Sequence, residues 1–193
     1  MKYFVSVVII LFSLSAKATL ITFESSELGG YGSQATSGGY NILDSGNELE
    51  VFGNYWATLS SVPVSALDNS ILTLEFMTTE VGEVNGIGFH NDEVISNGGL
   101  YFDFGGTQTF GNEDFAQTLV AGVWYTIVID FSNYDLSSYD TMLFIADQDD
   151  SGTTDSFFRN LEFTTSTVSV SAPSSISILA LFLLVSCFIV RRR

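Results

Sequence analysis

Late in the chain, a run of acidic residues has the spacing of a cation-binding loop. The stretch 147–152 (Asp-Gln-Asp-Asp-Ser-Gly) places side-chain oxygens at its first, third and fifth positions and a glycine at the sixth, as in the first half of a calcium loop. Asp155 falls at the ninth position, but Phe158 stands at the twelfth, where an EF-hand has a bidentate glutamate. The run is therefore either a loop that takes its remaining ligands from elsewhere or a solvated acidic turn.

The charge of the surrounding segment favours a bound cation. All 22 acidic residues lie between Glu24 and Glu162, where Arg159 is the only lysine or arginine, so this segment carries a net charge of −21. Such a segment repels nucleic acid and gains from salt or from a bound dication. We expect one structural calcium ion, held by carboxylates from both ends of the segment: Asp147, Asp149 and Asp155, with a further acid, Glu24 or Glu27.

Aromatic residues beside turns form a second candidate site. Sugar rings stack their C–H faces on aromatic planes, while their hydroxyls need amide, acid or hydroxyl partners. Tyr55 and Trp56 follow a Gly-Asn pair and are predicted to lie at the surface, whereas Trp124, within an apolar run, is predicted to lie in the core. The expected ligand-binding residues are Tyr55, Trp56, Tyr101 and Gln108. The alternative is that these aromatic rings fill the core, as most buried rings do.

The residues needed for most catalytic sites are missing. His90 is the only histidine, and the only cysteine, Cys187, lies outside the acidic segment, so a two-histidine zinc site and a Cys-His pair are excluded there. A carboxylate pair for glycan hydrolysis remains open among 22 acids. We therefore expect a non-catalytic protein, with a secreted hydrolase and a purely structural surface protein as alternatives.

The pattern of the central segment is that of strands. Alternation of apolar and polar residues recurs in short stretches such as 71–77, and these stretches are separated by Gly, Asn, Asp and Ser turns. No window outside the two chain ends shows helical periodicity. Residues 19–163 are therefore predicted to form one all-β domain, a β-sandwich whose nine or ten strands suit a jelly roll.

Both chain ends look like targeting segments. Lys2, an apolar stretch and Ala16-Lys17-Ala18 follow the pattern of a secretory signal peptide over residues 1–18, with cleavage after Ala18. An uncleaved anchor is the alternative. At the other end, the apolar run 176–190 precedes three arginines, which predicts a short transmembrane helix whose arginine end stays in the cytoplasm.

The C-terminal residues resemble a known sorting signal. Pro173-Ser174, the apolar run and the terminal arginine cluster are similar to the PEP-CTERM tail of Gram-negative bacteria, over residues 172–193. The resemblance implies recognition by an exosortase-type membrane transpeptidase, processing near Pro173, and a final place at the cell surface or outside the cell. The usual Pro-Glu-Pro is here Ser171-Ala172-Pro173, so a plain membrane anchor is the alternative. Residues 164–171 are predicted to be a linker.

The central segment also resembles a family. The stretches 71–76, 83–89, 106–111, 142–150 and 158–161 follow one another as in carbohydrate-binding-type jelly-roll modules of secreted bacterial proteins. This resemblance implies a non-catalytic sandwich with a structural calcium near its last two strands and an extracellular polysaccharide as partner. His90 stands where the pattern has an acid, so no ligand role is carried over to that position.

Overall fold

The computed structural model describes residues 16–64 and 67–166, which form a domain of nine antiparallel strands. Short 3₁₀ turns at Asp44–Gly46, Ile95–Asn97 and Phe131–Asn133 join some of them. The strands are β1 (Ala16–Leu20), β2 (Leu28–Leu43), β3 (Glu48–Leu59), β4 (Ser70–Met77), β5 (Val84–His90), β6 (Leu100–Gly105), β7 (Tyr125–Asp130), β8 (Thr141–Asp147) and β9 (Asp155–Ser166).

Strand β3 belongs to both halves of the sandwich. Its first part, Glu48–Phe52, pairs with β9, and its second part, Tyr55–Leu59, pairs with β8. The strand bends between these parts at Gly53, whose φ of +77° suits glycine. We call β6, β5, β8 and the second part of β3 the front sheet, and the first part of β3, β9, β4 and β7 the back sheet.

Aromatic side chains from the two sheets fill the space between them. Phe144 of the front sheet lies 5.0 Å from Phe158 of the back sheet, and Phe76 lies 5.3 Å from Phe104, measured between ring centroids. All four rings are buried. Because strand residues alternate between faces, the residues next to these point away from the core and decorate the outer faces of the two sheets.

The prediction of an all-β sandwich is confirmed. Two stretches differ from what their residues alone suggest. The Gly- and Ser-rich stretch 29–39, typical of a loop, belongs to the 16-residue strand β2, and of the apolar run 123–131 only Tyr125–Asp130 forms β7. Register shifts in β2 between Gly30 and Ser37 absorb the irregular part.

The two ends of the domain lie side by side. Ala16 pairs with Ser166, so β1 includes three residues of the predicted signal peptide and β9 extends three residues into the predicted linker. Residues 1–15 and 167–193, with the predicted helix 176–190 and Pro173, lie outside the described residues. In the part of the chain that the structure describes, no helix is long and apolar enough to cross a membrane.

Candidate functional site

The outer face of the front sheet carries a row of aromatic rings. The rings of Tyr31 and Trp56 are 5.9 Å apart, Trp56 and Phe110 are 5.5 Å apart, and Phe110 and Tyr101 are 4.9 Å apart. Tyr31, Trp56 and Tyr101 are at most 7% exposed, and Phe110 is half-buried at the outside of the row. We call these four residues the outer aromatic row; it is an apolar cluster separate from the main core.

Glycines on β5 make room for this row. A Cβ atom at Gly88 would lie 2.7 Å from the ring of Tyr101, so the tyrosine ring packs directly against the backbone of Gly88. The loop 106–111 then brings Phe110 over the row. Its backbone is held by Thr107 N–H and Gln108 N–H, which donate to the carbonyl oxygens of Gly82 (3.1 Å) and Glu83 (2.9 Å).

Polar atoms without partners lie on two sides of the row. Of the seven buried side-chain atoms that lack a hydrogen-bond partner among the described residues, six lie there: Tyr31 Oη, His90 Nε2 and Tyr101 Oη on one side, and Asn54 Oδ1, Trp56 Nε1 and Asp147 Oδ1 on the other. The two tyrosine hydroxyls lie close enough to affect each other's pKa, and the Trp56 indole N–H lowers that of Asp147, although neither pair has hydrogen-bond geometry. That leaves His90 Nε2 and Asn54 Oδ1, which lose water on burial without gaining a partner.

Two clefts lie near the row. One has a volume of about 320 Å³ and is lined by Tyr31, Thr58 and acidic loop residues. The other has about 420 Å³ and is lined by Gln108, Thr109, Gln117 and Thr118, next to the loop that carries Phe110. Burial raises the pKa of both tyrosines of the row, so their hydroxyls stay protonated and can donate hydrogen bonds.

Three carboxylates meet at the end of the row next to Trp56. Glu83, Asp147 and Asp149 each offer an oxygen within 4.8 Å of the others. The backbone N–H of Asp149 donates to Glu83 Oε2 (2.8 Å), and Asn54 Nδ2 donates to Asp149 Oδ1 (2.5 Å). Asn54 and Asp147 are 8% and 9% exposed. We call these three acids, together with Asn54, the acidic cluster.

The cluster disfavours the charge on Asp147. Burial raises the pKa of this carboxyl from its usual 3.8 to about 6, and the neighbouring charges of Asp149 and Glu83 act in the same direction. The indole N–H of Trp56 opposes the rise, although its geometry falls short of a hydrogen bond. A cation among the three carboxylates would remove the repulsion that these acids experience.

The structure corrects the expected metal ligands. Asp147 and Asp149 come together, but Asp155, Glu24 and Glu27 do not join them, and Glu83 does. Asp155 Oδ1 instead accepts hydrogen bonds from Thr78 Oγ1, Thr79 N and Glu80 N at 3.0, 2.6 and 3.1 Å, and its other oxygen accepts from Thr79 Oγ1. Asp155 therefore holds the turn after β4. Glu24 and Glu27 lie in the exposed turn before β2, where the backbone N–H of Glu27 bonds to the Glu24 carbonyl oxygen.

The turn-holding role of Asp155 gives a testable prediction. Asp155→Asn keeps an oxygen for the two backbone N–H groups but loses the charge, so we expect the free energy of unfolding to fall by about 1 kcal/mol. The stabilisation by added calcium should be unchanged. Thermal melts with and without calcium measure both quantities, and a lost calcium response would restore Asp155 as a metal ligand.

The expected ligand-binding residues lie in different environments. Trp56 is 1% exposed, so its prediction as a surface residue is wrong, and Tyr101 is buried beside it. Tyr55, half-buried, packs against the main core and lies 6.2 Å from the ring of Tyr40, so it does not join the row. Gln108 is exposed and lines the larger cleft.

Trp124 is half-buried on the outer side of the back sheet, and its prediction as a core residue is wrong. The guanidinium carbon of Arg159 lies 3.7 Å from the centre of its ring. Arg159 Nε also donates to Glu75 Oε2 (2.6 Å), and this bond lowers the pKa of Glu75. One face of Trp124 is thus occupied by the arginine, which leaves less of the ring for a ligand.

The sequence pattern did not identify Glu83 or His90 as site residues. Glu83 and Asp147 are 64 positions apart, and they meet because β5 and β8 pair with Val84 opposite Asp147. Complementary strand patterns around 84–90 and 141–147 are the only signal that could have suggested this pairing.

Comparisons with known proteins find similar folds but no sequence family. No family model matches the chain, and no curated protein matches it. Among solved structures, it is similar to the family 11 carbohydrate-binding module of the cellulosomal cellulase Lic26A-Cel5E of Clostridium thermocellum, with 14% identity over 83% of this chain and 100% of that one, at a TM-score of 0.48. It is also similar to the D114A mutant of the carbohydrate-binding module CBM29-2 (16% identity, 79% and 88% covered, TM-score 0.45). A third similar structure is the xylan-binding module CBM15 (10% identity, 80% and 98% covered, TM-score 0.43).

Proposed function

We propose that this protein is a non-catalytic β-sandwich that binds an extracellular polysaccharide on the outer face of its front sheet. The observation that carries the proposal is the cleft of about 420 Å³ beside loop 106–111, which is lined by the exposed side chains of Gln108, Thr109, Gln117 and Thr118. Sugar hydroxyls can both donate and accept hydrogen bonds, as such amide and hydroxyl groups do. Phe110, the one ring of the outer aromatic row that is only half-buried, offers a partner for the C–H face of a sugar.

The accessible parts of the face are its rim and its two clefts. Phe110 is the outermost ring of the row, and Gln108 lies two residues earlier on the same loop, at the cleft of about 420 Å³. A cleft of this size falls in the range of small-ligand sites, and its amide and hydroxyl groups suit sugar hydroxyls. The −21 charge of the central segment favours neutral polysaccharides, because acidic ones are repelled.

Binding is tested by affinity electrophoresis and calorimetry of the purified protein with xylan, mixed-linkage β-glucan, cellulose and an acidic polysaccharide. We expect binding to at least one neutral polysaccharide. Gln108→Ala should weaken that binding about three- to tenfold, because it loses about one net hydrogen bond. The matched control is Trp124→Phe on the back sheet, which should leave the affinity unchanged. A flat response across all polysaccharides would instead leave the purely structural surface protein as the function.

The acidic cluster supports a second candidate function, glycan hydrolysis. A carboxyl with a raised pKa beside other carboxylates is what a glycan hydrolase uses as its general acid, and Asp147 fits that description. However, the three acids converge within 4.8 Å, whereas retaining and inverting enzymes separate their two carboxyls by about 5–9.5 Å around the scissile bond. Release of reducing ends from a bound polysaccharide, abolished by Asp147→Asn, would establish the hydrolase.

We also propose that the protein is exported and sorted, and the residue patterns of the two chain ends are what supports this. Cleavage after Ala18, insertion of the helix 176–190 and processing near Pro173 by an exosortase-type transpeptidase would place the sandwich at the cell surface or outside the cell. Intact-mass measurement on protein from the native host should find chains that start at Thr19 and end near Pro173. Chains that retain Arg193 would support a plain membrane anchor instead.

We also propose a structural calcium ion, with ligands that differ from those expected from the sequence. The supporting observation is the acidic cluster, in which Glu83 joins Asp147 and Asp149, while Asp155, Glu24 and Glu27 lie elsewhere. Its oxygen-only chemistry is the kind that calcium prefers.

A further inference from the structure

The acidic cluster is directly connected to the loop that completes the outer aromatic row. Glu83 supplies a carboxylate to the cluster, and its backbone carbonyl oxygen accepts the Gln108 N–H (2.9 Å). Its backbone N–H donates to the carbonyl oxygen of Asp147 (2.8 Å). A Cβ atom at Gly106 would lie 2.1 Å from the Glu83 oxygen, so the start of the loop rests on this residue. Movement of Glu83 therefore moves the loop that carries Gln108 and Phe110.

A buried oxygen shows that the cluster has an incomplete set of partners. Asn54 Oδ1 lacks a hydrogen-bond partner, and Asn54 is more than nine-tenths buried. Asp147 Oδ1 lacks one as well, although the indole N–H of Trp56 lies near this carboxyl. Asn54 points into the cluster, because its Nδ2 donates to Asp149. Both unpartnered atoms are oxygens, so the missing group is a donor or a cation. Three converging carboxylates select the cation, since they leave negative charge that a neutral donor does not balance.

The donor set of the cluster fits calcium better than magnesium. Calcium takes about six to eight oxygen ligands in flexible geometry, including carboxylates and amide oxygens, whereas magnesium demands a near-ideal octahedron and keeps several of its waters. The cluster offers protein oxygens only, one each from Glu83, Asp147 and Asp149 within 4.8 Å of one another and one from Asn54. The cluster contains no histidine or cysteine, which disfavours softer metals.

We propose that Glu83, Asp147, Asp149 and Asn54 Oδ1 bind one calcium ion, and that this ion fixes loop 106–111 so that calcium and polysaccharide binding reinforce each other. The coupling half of this proposal rests on the proposed function, and the ion-binding half does not. With the ion bound, Glu83 is held to Asp147 and Asp149. The carbonyl oxygens of Gly82 and Glu83, which accept hydrogen bonds from the loop, are then fixed in position. Without it, the repelling carboxylates separate, and Gln108 and Phe110 lose their position. Thermodynamic linkage then makes the effect reciprocal.

The ion-binding half is tested with terbium, a lanthanide that replaces calcium and emits light when a nearby tryptophan transfers energy to it. The protein is titrated with terbium while its tryptophans are excited. We expect a saturable signal that calcium removes at lower concentration than magnesium does. Glu83→Gln and Asp149→Asn should each weaken terbium binding at least tenfold. Trp56→Phe should reduce the emission, because Trp56 lies beside the cluster and Trp124 lies on the back sheet.

The matched control for this titration is Asp150→Asn, an exposed acid next to Asp149 that is not part of the acidic cluster. It removes the same charge from the same loop and should leave terbium affinity within about twofold of the parent protein. Equal losses for Asp150→Asn and Asp149→Asn, or equal displacement by calcium and magnesium, would show general charge screening and overturn the site.

The coupling half is tested with the polysaccharide that the parent protein binds best, in calcium and in chelator at equal ionic strength. We expect the affinity to fall about five- to tenfold in chelator, and the terbium affinity to rise by the same factor with polysaccharide present. Glu83→Gln should bind polysaccharide equally in calcium and chelator. Terbium binding with an unchanged polysaccharide affinity would overturn the coupling and support the ion site. Terbium binding with no polysaccharide bound in either buffer would instead contradict the proposed function.

Discussion

Gly86→Ala is expected to lower the free energy of unfolding by roughly 3 kcal/mol, because the new methyl group has no space in the front sheet. Its Cβ would lie 2.1 Å from the carbonyl oxygen of Phe102, on a strand that is hydrogen-bonded on both sides. A backbone oxygen cannot rotate away as a side chain can, so β5 and β6 must separate. The midpoint of a thermal melt should fall by about 6–12 °C.

Gly39→Ala is the matched control for this change. Gly39 also lies in a strand, but its Cβ would meet only the ring edge of Phe52, at 3.5 Å, which is an ordinary contact. We expect its stability to stay within about 0.5 kcal/mol of the parent protein. Similar melting midpoints for the two variants would contradict the packing of β6 on β5, and with it the position of Tyr101.

Asp147→Asn is expected to stabilise the calcium-free protein at pH 7 and to abolish its stabilisation by calcium. The folded-state pKa of Asp147 is about 6, above its usual 3.8, so the folded state holds the proton more tightly than the unfolded chain does. The stabilisation that Asp147 contributes through this proton is therefore fully present at pH below about 4 and is lost as the pH rises through 6. At pH 7 the charged carboxyl costs up to about 3 kcal/mol, of which we expect asparagine to recover about 2 kcal/mol, because its amide is also buried.

Melts in chelator and in calcium at matched ionic strength measure both effects. The parent protein should gain about 2–3 kcal/mol at calcium concentrations near 100 times the dissociation constant, and the variant should gain almost nothing. A variant that is less stable than the parent in chelator would mean that the charged form of Asp147 is satisfied without an ion.

The sequence predicts the class of fold because alternation with a period of two specifies strands wherever one face is buried. Leu72, Leu74 and Phe76 alternate with Thr73 and Glu75 along β4, and the first three are fully buried. The same rule fails for β2, whose glycines and serines carry no such contrast. That strand is defined by its hydrogen bonds to β3, which no local pattern reveals.

The two tryptophans show the limit of the same rule. Alternation says that Trp56 and Ala57 point to opposite faces, but it does not say that the outer face of the front sheet is covered as well. The packing of Tyr31, Phe110 and Tyr101 on Trp56 buries it outside the main core. Trp124 precedes β7 instead of lying inside it, and Arg159, distant in sequence, covers one face of its ring.

Only two of the three acids in the acidic cluster could be predicted from the sequence. Asp147 and Asp149 are neighbours in sequence, and the calcium-like spacing identifies them. Asp155 follows at a suitable interval, yet the chain has by then turned into β9 and directs this side chain to the turn after β4. Glu83 joins the cluster because β5 pairs with β8. The spacing of residues along the chain does not reveal which strands pair.

The pairing of the first strand with the last has a consequence for when this protein can fold. β3 also pairs with β9, so residues about 100 positions apart must meet before the back sheet is complete. Contacts between such distant residues make folding slow, since long loops must close before any bonds are gained. Until β9 has been synthesised, β1 lacks the strand with which it pairs, and the first part of β3 is paired with β2 alone. The sandwich therefore closes only after its last strand has been made, and not strand by strand as the chain grows.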